Sequence, residues 1–263
     1  MEQGDLKGKV AIVTGSATGI GAAVAIGLAR RGAAVLVNYT KSKAEAEATA
    51  ELVRETGADV RLAQGDVARD EDCRKLAKMA TESWGRIDIL VNNAGTTKFA
   101  GHADLDALSA EDFTHIYSVN VVGPFQMIRA CLPQLKASGA GAVVNISSIA
   151  GVTGIGSSVA YAASKGALNT MTMSLARALG PEIRVNAICP GYVGTRWFSD
   201  RFGMETFERL NAEQVATTPL KRAGRPDDIA DAVIFFCTAA SRHITGEMLI
   251  VDAGLHLSLP HGR

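Results

Sequence analysis

Residues 9–21 read KVAIVTGSATGIG, an apolar run that stops at Thr14 and Gly15 and then enters a helical pattern. Ile20, Val24 and Leu28 recur at helical spacing after the turn. An apolar strand that leads through a tight turn into such a helix predicts the first unit of an α/β sheet.

The glycines of this turn are placed to receive a phosphate. Gly15 permits the tight turn, Gly19 lets the backbone approach a pyrophosphate, and Gly21 lets the helix pack against the sheet. The helix N-terminus adds unpaired N–H groups and the positive end of its dipole. The spacing GxxxGxG differs from the common GxGxxG, so the glycines alone leave a simple tight turn open.

The same alternation continues along the chain, without a linker, a repeat or a block of charge. Continuous apolar strands separated by helices indicate a parallel sheet covered on both faces. We therefore expect a single doubly wound α/β domain over residues 1–263, with about seven strands and six helices. The strands are predicted at residues 9–13, 35–37, 60–63, 87–91, 142–146, 183–188 and 248–251. The longer helices are predicted from residue 20, at 42–56, 70–84, 109–134 and 157–179, and from Pro226.

Residues 194–218 interrupt this alternation. An insertion between a strand and the next helix lies outside the carboxyl ends of the strands, where ligands bind in open α/β sheets. We expect a substrate lid, with a helical pair packed for stability or assembly as the alternative. Its large apolar residues are Trp197, Phe198, Phe202, Met204, Phe207 and Leu210.

Charge and composition exclude several classes of protein. The 27 Lys and Arg residues balance 27 Asp and Glu, so no basic surface argues for nucleic acid or an anionic membrane. The longest apolar run is far shorter than the ~18 residues of a membrane span, and the first residues lack the apolar region of a signal peptide. We expect a soluble, cytoplasmic protein that acts on a small molecule.

The cysteines and histidines form no pattern of metal or disulfide sites. Because no two of the four cysteines are close in sequence, we expect small core residues in a reduced compartment. The five histidines have no ligand spacing, so we predict no catalytic metal. They are His102, His115, His243, His256 and His261.

Tyr161 and Lys165 have the spacing of an acid and the cation that tunes it. They are four residues apart, so on a helix they share one face. A free tyrosine has a pKa of about 10 and is a poor proton donor at neutral pH. A nearby cation favours the phenolate and is expected to lower that pKa. A chance pair on a solvated helix face is the alternative.

Several motifs together resemble the short-chain dehydrogenase/reductase family. TGSATGIG at 14–21, NNAG at 92–95, YAASK at 161–165 and PG at 190–191 occur in the family's order, from Leu6 to about Leu257. The resemblance implies a Rossmann fold and a nicotinamide cofactor. It also implies a catalytic tetrad of Asn120, Ser148, Tyr161 and Lys165. In it, Ser148 bonds the substrate oxygen, Asn120 holds a water linked to Lys165, and the neighbouring Ser147 faces the other way.

The resemblance also implies a set of cofactor contacts. Asp66 resembles the residue that bonds the adenine, and Asn93, Ala94 and Gly95 resemble the backbone beside the ribose. Thr195 resembles the residue that holds the nicotinamide carboxamide. An ordinary turn at Asp66 and a helix cap at Thr195 stay open as alternatives. The full expected set is Gly15, Ser16, Thr18, Gly19, Ile20, Gly21, Tyr39, Thr40, Lys41, Ser42, Asp66, Val67, Asn93, Ala94, Gly95, Tyr161, Lys165, Pro190, Gly191, Val193 and Thr195.

NADP(H) is the predicted cofactor, with NAD(H) also possible. NAD-specific sites place a carboxylate on the ribose 2′-OH about twenty residues beyond the glycines. Here Asn38, Tyr39 and Thr40 follow the second strand, and Lys41 and Lys43 come next. These lysines can pair with a 2′-phosphate, although a solvated helix start would also explain them.

These features predict an NAD(P)(H)-dependent oxidoreductase that interconverts a ketone and a secondary alcohol. The resemblance further implies a homotetramer built on helices 109–134 and 157–179. Two alternatives remain: a 3-oxoacyl-carrier-protein reductase and a catalytically inactive NADP-binding regulator. Members of the carrier subgroup have docking arginines at positions that correspond to Gly139 and Glu182, so we expect poor activity on carrier-bound chains. Lys136, Arg177 and Arg184 lie nearby in sequence as possible substitutes.

Overall fold

Seven parallel strands form one sheet in the computed structural model, which describes residues 4–257. The strands are β1 (Val10–Val13), β2 (Ala34–Tyr39), β3 (Val60–Gln64), β4 (Ile89–Asn92), β5 (Gly141–Ile146), β6 (Ile183–Pro190) and β7 (Met248–Val251). Their order across the sheet is β3-β2-β1-β4-β5-β6-β7. The strand order therefore reverses beside β1, between β2 on one side and β4 on the other.

Nine α-helices are found between residues 4 and 257. They are α1 (Gly19–Arg30), α2 (Lys43–Glu55), α3 (Asp70–Trp84), α4 (Ala110–Tyr117), α5 (Gly123–Ala137), α6 (Ala150–Thr153), α7 (Val159–Leu179), α8 (Arg196–Thr217) and α9 (Pro226–Cys237). Two apolar clusters cover the two faces of the sheet. One contains side chains of α1, α2 and α9, and the other contains side chains of α3, α5 and α7. The predicted doubly wound parallel sheet is confirmed.

Local sequence explains several helix ends. The first turn of α3 contains three acidic residues, Asp70, Glu71 and Asp72, whose negative charges interact favourably with the positive end of the helix dipole. Gly85 ends α3 at φ 74°, a left-handed backbone that glycine adopts without strain. Ser109 caps α4 in a reciprocal pair with Asp112.

The prediction of one continuous helix over residues 109–134 is wrong, because the structure has two α-helices there. A π turn, Ser118–Val122, separates α4 from α5. Pro124 stands at the start of α5 and has no N–H to continue the ladder of the preceding helix. The wider turn buries Asn120.

The insertion after β6 is a helix that does not join the core. None of the residues Arg196–Thr217 is buried, and Gly203 (φ 78°, ψ 167°) breaks α8 into two pieces. In the rest of the described chain, all four cysteines are buried and unpaired, as predicted. None of the helices within residues 4–257 combines the length and hydropathy that crossing a membrane requires. His261 lies outside the described residues.

Candidate active site

The predicted site residues meet at the carboxyl edge of the sheet. The glycine turn follows β1, Asn93 follows β4, Ser148 follows β5 and Gly191 follows β6. Because β1 and β4 are neighbours where the strand order reverses, the crevice between their ends is the place where such sheets bind nucleotides.

Thr14 and Asn93 hold the glycine turn against the end of β4. Thr14 Oγ1 accepts hydrogen bonds from the N–H groups of Asn93 and Ala94, both at 3.0 Å. Asn93 Nδ2 donates to the carbonyls of Thr14 (3.0 Å) and Gly15 (2.8 Å). A Cβ on Gly15 would lie 2.9 Å from Ala94 Cα, so glycine is required there by both φ (59°) and space.

Asn38 holds the same turn from the side of β2. Its Oδ1 accepts from Gly15 N at 3.0 Å, and its Nδ2 donates to the carbonyls of Ala63 (3.2 Å) and Gly65 (3.0 Å). Asn38 is therefore a buried structural residue, and its side-chain amide is bonded within the protein and does not face a ribose. This role requires partners from β1 and β3, which the sequence alone does not bring together.

Ser16, a predicted cofactor contact, is held inside the glycine turn. It is fully buried, its hydroxyl donates to Val13 O at 2.7 Å, and its N–H donates to Asn38 O at 2.9 Å. Both of its donors are thus used inside the protein. The N–H groups of the first turn of α1, at Gly19, Ile20 and Gly21, have no partner within the helix and can face a phosphate.

Tyr161 and Lys165 lie on α7, as their spacing predicts. Ser158 caps this helix by accepting from Tyr161 N at 3.2 Å. Lys165 is buried, donates to Ile146 O at 2.8 Å, and has its ammonium 5.5 Å from the centroid of the Tyr161 ring. The Ser148 hydroxyl lies close enough to Tyr161 to lower the pKa of the phenol, against the larger opposing effect of burial.

Ser147 and Gly151 fasten the strand end to α7. Ser147 is buried and donates to Lys165 O at 3.2 Å, so it faces away from Ser148 as expected. A Cβ on Gly151 would lie 2.5 Å from the Lys165 carbonyl carbon. The backbone at Lys165 is therefore held directly against α6.

Asn120 braces the tetrad from the π turn. Its Oδ1 accepts from Thr96 N (2.8 Å), and its Nδ2 donates to Thr96 O (2.9 Å) and Ser164 Oγ (3.0 Å). Ser164 in turn donates to Tyr161 O at 2.7 Å. The side-chain amide therefore connects the loop after β4 to α7, and the expected water beside Lys165 stays a prediction.

The electrostatics of Tyr161 differ from the expectation. Burial raises the pKa of Tyr161 to about 12, and the Ser148 hydroxyl opposes that rise only in part. Burial also lowers the pKa of Lys165 to about 8. The Lys165 ammonium bonds Ile146 O instead of the phenol oxygen, so the predicted lowering of the Tyr161 pKa is wrong for this arrangement.

The start of α8 lies over the cofactor crevice. The Thr195 methyl is 3.5 Å from the point that a Cβ on Gly19 would occupy. Arg196 pairs with Glu45 in the first turn of α2 at 3.1 Å. Thr195 occupies the N-cap position of α8, as its alternative foresaw, although its side chain makes no capping hydrogen bond.

Comparison with known proteins agrees with this geometry. A family model described as enoyl-(acyl carrier protein) reductase matches residues 15–256. A protein of Streptomyces violaceoruber assigned as ketoacyl reductase 2 of the granaticin polyketide synthase is 43% identical over 248 residues, 94% of this chain and 96% of that protein. The 3-oxoacyl-[acyl-carrier-protein] reductase of Staphylococcus epidermidis is 33% identical, covering 95% of this chain and 99% of that protein.

Solved structures place the chain in one family. A Burkholderia xenovorans protein assigned as a short-chain dehydrogenase/reductase superposes with a TM-score of 0.87 at 41% identity, covering 95% of this chain and 98% of that one. This chain belongs to the short-chain dehydrogenase/reductase family. The family implies an oxidoreductase that uses a nicotinamide cofactor.

In this short-chain dehydrogenase/reductase, the residues predicted to contact the adenine also make hydrogen bonds within the protein. Asp66 Oδ1 accepts from Ala68 N at 2.9 Å, which is the ordinary turn named above as the alternative for this residue. The other carboxylate oxygen takes no part in this bond. The Val67 carbonyl accepts from Gln126 Nε2 at 2.9 Å. Tyr39 is half-buried, whereas Thr40, Lys41 and Ser42 are exposed beside it.

The predicted contacts of the nicotinamide follow β6. Pro190 O accepts from Ile149 N at 2.9 Å, which joins the ends of β6 and β5. A Cβ on Gly191 would lie 2.5 Å from Asp252 Cβ, so the chain after β7 packs directly on this turn. Val193 is buried and pairs with Gly224. Pro190, Gly191 and Val193 therefore shape the floor beneath Thr195.

Proposed function

We propose that the protein reduces a ketone to a secondary alcohol with NADPH, and catalyses the reverse reaction with NADP⁺. The observation that carries the proposal is the buried Lys165 ammonium 5.5 Å from the centroid of the Tyr161 ring, with Ser148 at the end of β5, at the carboxyl edge of the sheet. The cofactor, when bound, supplies the hydride that adds to the carbonyl carbon. The Tyr161 hydroxyl supplies the proton that the carbonyl oxygen gains.

Each residue of the tetrad has a separate task in this proposal. Ser148 donates to the substrate oxygen and orients it toward Tyr161. The raised pKa of Tyr161 keeps its proton in place until negative charge develops on that oxygen. Lys165 stabilises the phenolate that remains after transfer, and Asn120 holds α7 and the loop after β4 in register.

The residues of the crevice fit a dinucleotide. The first turn of α1 offers N–H groups to the pyrophosphate. Asp66 and Val67 would contact the adenine, and Asn93, Ala94, Gly95 and Lys165 would contact the ribose next to the nicotinamide. Thr195 would hold the carboxamide. A Cβ added at Gly95 would lie 3.5 Å from Asn120 Oδ1 and 3.7 Å from Lys165 Nζ. A larger residue at this position would therefore narrow the crevice.

Substitution of the proton donor tests the proposal. Tyr161→Phe removes one hydroxyl and keeps the ring, so we expect kcat to fall by about 10²–10⁴-fold. The Kd for NADPH, measured by fluorescence titration, is expected to stay almost unchanged. Near-normal kcat of this variant with a verified ketone would contradict the role of Tyr161. The same measurement tests the inactive-regulator alternative, since that protein would reduce no ketone before substitution.

The preference for NADP(H) rests on the end of β2. No carboxylate occupies positions 38–40, and the nearest one along the chain, Glu45, is paired with Arg196. Lys41 and Lys43 are exposed at the start of α2, where they can bond a 2′-phosphate.

Replacing these lysines tests the cofactor preference. We expect Lys41→Ala with Lys43→Ala to raise KM for NADPH about tenfold or more and to leave KM for NADH unchanged. Lys78→Ala, on the exposed face of α3, is the matched control. Equal effects on the two cofactors, or a wild-type kcat/KM that favours NADH, would contradict the preference.

Assembly as a homotetramer remains part of the proposal. Phe113, Val122, Phe125 and Met173 are large apolar side chains exposed on α4, the π turn, α5 and α7. An exposed apolar surface of this kind favours contact with another copy. Sedimentation measurements of the purified protein test it directly.

A further inference from the structure

Five aromatic side chains come from the segments around the cleft, and one of them, Trp197, lies next to Tyr161. Phe99 comes from the loop after β4, Tyr192 from the turn after β6, and Trp197, Phe198 and Phe202 from α8. We call them the aromatic cluster. The chain has only fourteen aromatic residues, so more than a third of them lie at this cleft.

Ring contacts join Trp197 to Tyr161 and, separately, link the other four rings to one another. The Trp197 ring centroid is 6.4 Å from that of Tyr161. Phe198 lies 4.7 Å from Tyr192 and 6.4 Å from Phe99, and Phe99 lies 5.0 Å from Phe202 with its ring nearly perpendicular. The loop of Phe99 is fastened to the start of α7 by Ala100 N, which donates to Ser157 O at 2.9 Å.

The cluster is not a core. Trp197 and Phe202 are each 40% exposed, and no residue of α8 is buried. Aromatic faces left open beside a proton donor present a surface on which another ring can stack.

One polar atom inside the cluster lacks a partner. Within residues 4–257, the buried side-chain oxygens without a hydrogen bond are Asn92 Oδ1 and Tyr192 Oη. Folded proteins leave few buried polar atoms unpaired. A phenol hydroxyl held among rings, with no protein acceptor, is placed to bond an oxygen that arrives with a ligand.

We infer that the substrate is a fused-ring aromatic ketone that stacks within the aromatic cluster and carries a second oxygen bonded by Tyr192. This inference rests on the proposed function, since it names the substrate class of the same site. In the step itself, the carbonyl carbon gains a hydride from NADPH and the oxygen gains the Tyr161 proton. NADP⁺ leaves, and solvent restores the proton to Tyr161.

A matched pair of ketones tests the aromatic part. 2-Tetralone and trans-2-decalone share one carbon skeleton, and in both the carbonyl is not conjugated to a ring. Rates of borohydride reduction correct for their intrinsic reactivity. Each aromatic contact contributes about 2- to 12-fold, so we expect kcat/KM for 2-tetralone to be at least about tenfold higher.

Paired tryptophan variants locate the preference. Trp197→Leu is expected to remove most of the tenfold preference in kcat/KM for 2-tetralone over trans-2-decalone. Trp84→Leu is the matched control, because Trp84 is the other tryptophan of the chain and ends α3 at the opposite edge of the sheet. We expect this control to keep both the ratio and kcat.

Binding provides a readout that does not depend on turnover. Trp84→Phe leaves Trp197 as the single tryptophan, and combining it with Tyr161→Phe prevents reaction. We expect 2-tetralone to quench Trp197 emission in the presence of NADP⁺, with trans-2-decalone binding at least about tenfold more weakly.

Tyr192 is tested with the ring-hydroxylated 2-tetralones. At least one hydroxyl position is expected to raise kcat/KM about tenfold over 2-tetralone, as one hydrogen bond allows, and Tyr192→Phe is expected to abolish that gain. Equal kcat/KM and equal binding for 2-tetralone and trans-2-decalone would overturn the inference while leaving the proposed function intact. Failure to reduce any ketone, with normal quenching by 2-tetralone, would instead contradict the proposed function alone.

Discussion

At the scale of the residue, the burial of Lys165 makes the stability of the fold depend on pH. Its side chain is 4% exposed, and burial lowers its pKa from 10.5 to about 8. Between these two values the unfolded chain binds more protons than the folded protein, so the free energy of unfolding rises with pH in this window. Tyr161 acts in the opposite sense above pH 10. Its folded pKa is about 12, so the folded state keeps a proton that the unfolded chain loses, and stability falls.

Lys165→Met is expected to remove the first of these two pH effects. From pH 7 to 9.5 the wild type should gain about 2 kcal/mol in free energy of unfolding relative to the variant. Urea denaturation across this range measures the difference, with exposed Lys78→Met as a control that keeps the wild-type slope. If the free energy of unfolding depended on pH in the same way for the wild type and Lys165→Met, the pKa of Lys165 would not be lowered in the folded protein. The variant is also expected to lose turnover and to bind the cofactor more weakly.

At the scale of elements, α8 differs from every other long helix of the fold. It has no buried residue, and its one break, Gly203, has φ 78° and ψ 167° with nothing within 4 Å of its Cβ position. A side chain there would strain the backbone without a clash. Because α8 contributes nothing to the core, the strain should change the position of the lid before it changes the stability of the domain.

Gly203→Ala should therefore lower kcat/KM several-fold with little change in Tm. Gly85→Ala is the matched control, since Gly85 also has a positive φ (74°) and open space at its Cβ position. It ends α3 far from the crevice, so we expect a loss of about 1 kcal/mol, equal to about 2–4 °C in Tm, and unchanged kcat/KM. If Gly203→Ala instead behaved like Gly85→Ala, α8 would be a structural helix and not a lid.

At the scale of the whole molecule, carrier docking meets a geometric obstacle. Gly139 precedes β5 and Glu182 precedes β6, and the start of β5 is paired to Glu182 through Gly141 N, which donates to Glu182 O at 2.9 Å. Both positions lie at the amino edge of the sheet and do not border the cleft within one chain. Arg184 is no substitute, because its guanidinium donates to the Phe236 carbonyl (3.0 Å) and to Ser241 Oγ (2.8 Å). Lys136 and Arg177 are exposed.

We accordingly expect poor activity on carrier-bound acyl chains. The test compares kcat/KM for an acetoacetyl group on carrier protein with the same group on a small thiol, at low and high salt. The expected outcome is no preference for the carrier. A strong preference that salt weakens would show that another basic surface, or one completed by a second subunit, binds the acidic carrier.

Local patterns in the sequence were sufficient for the architecture. The strand Met248–Val251 and the helix Asp70–Trp84 lie where they were predicted, because apolar periodicity and terminal residues act over a few positions. The Tyr161–Lys165 spacing placed both residues on one helix face for the same reason. The motifs shared with short-chain dehydrogenases/reductases then located Ser148 and the glycine turn.

Tertiary structure decided how those residues work. Asn93 and Thr14 are 79 positions apart, and Asn38 bonds atoms that lie 23 to 27 positions away, so no local pattern predicts that they brace the glycine turn. The same holds for the inward direction of Ser16, the wide turn at Asn120 and the aromatic cluster drawn from three separate segments. The pKa of Tyr161 also depends on burial, which is a property of the packed molecule: the sequence predicts a tyrosine and a lysine on one helix face, and the fold determines that desolvation raises the pKa of the phenol.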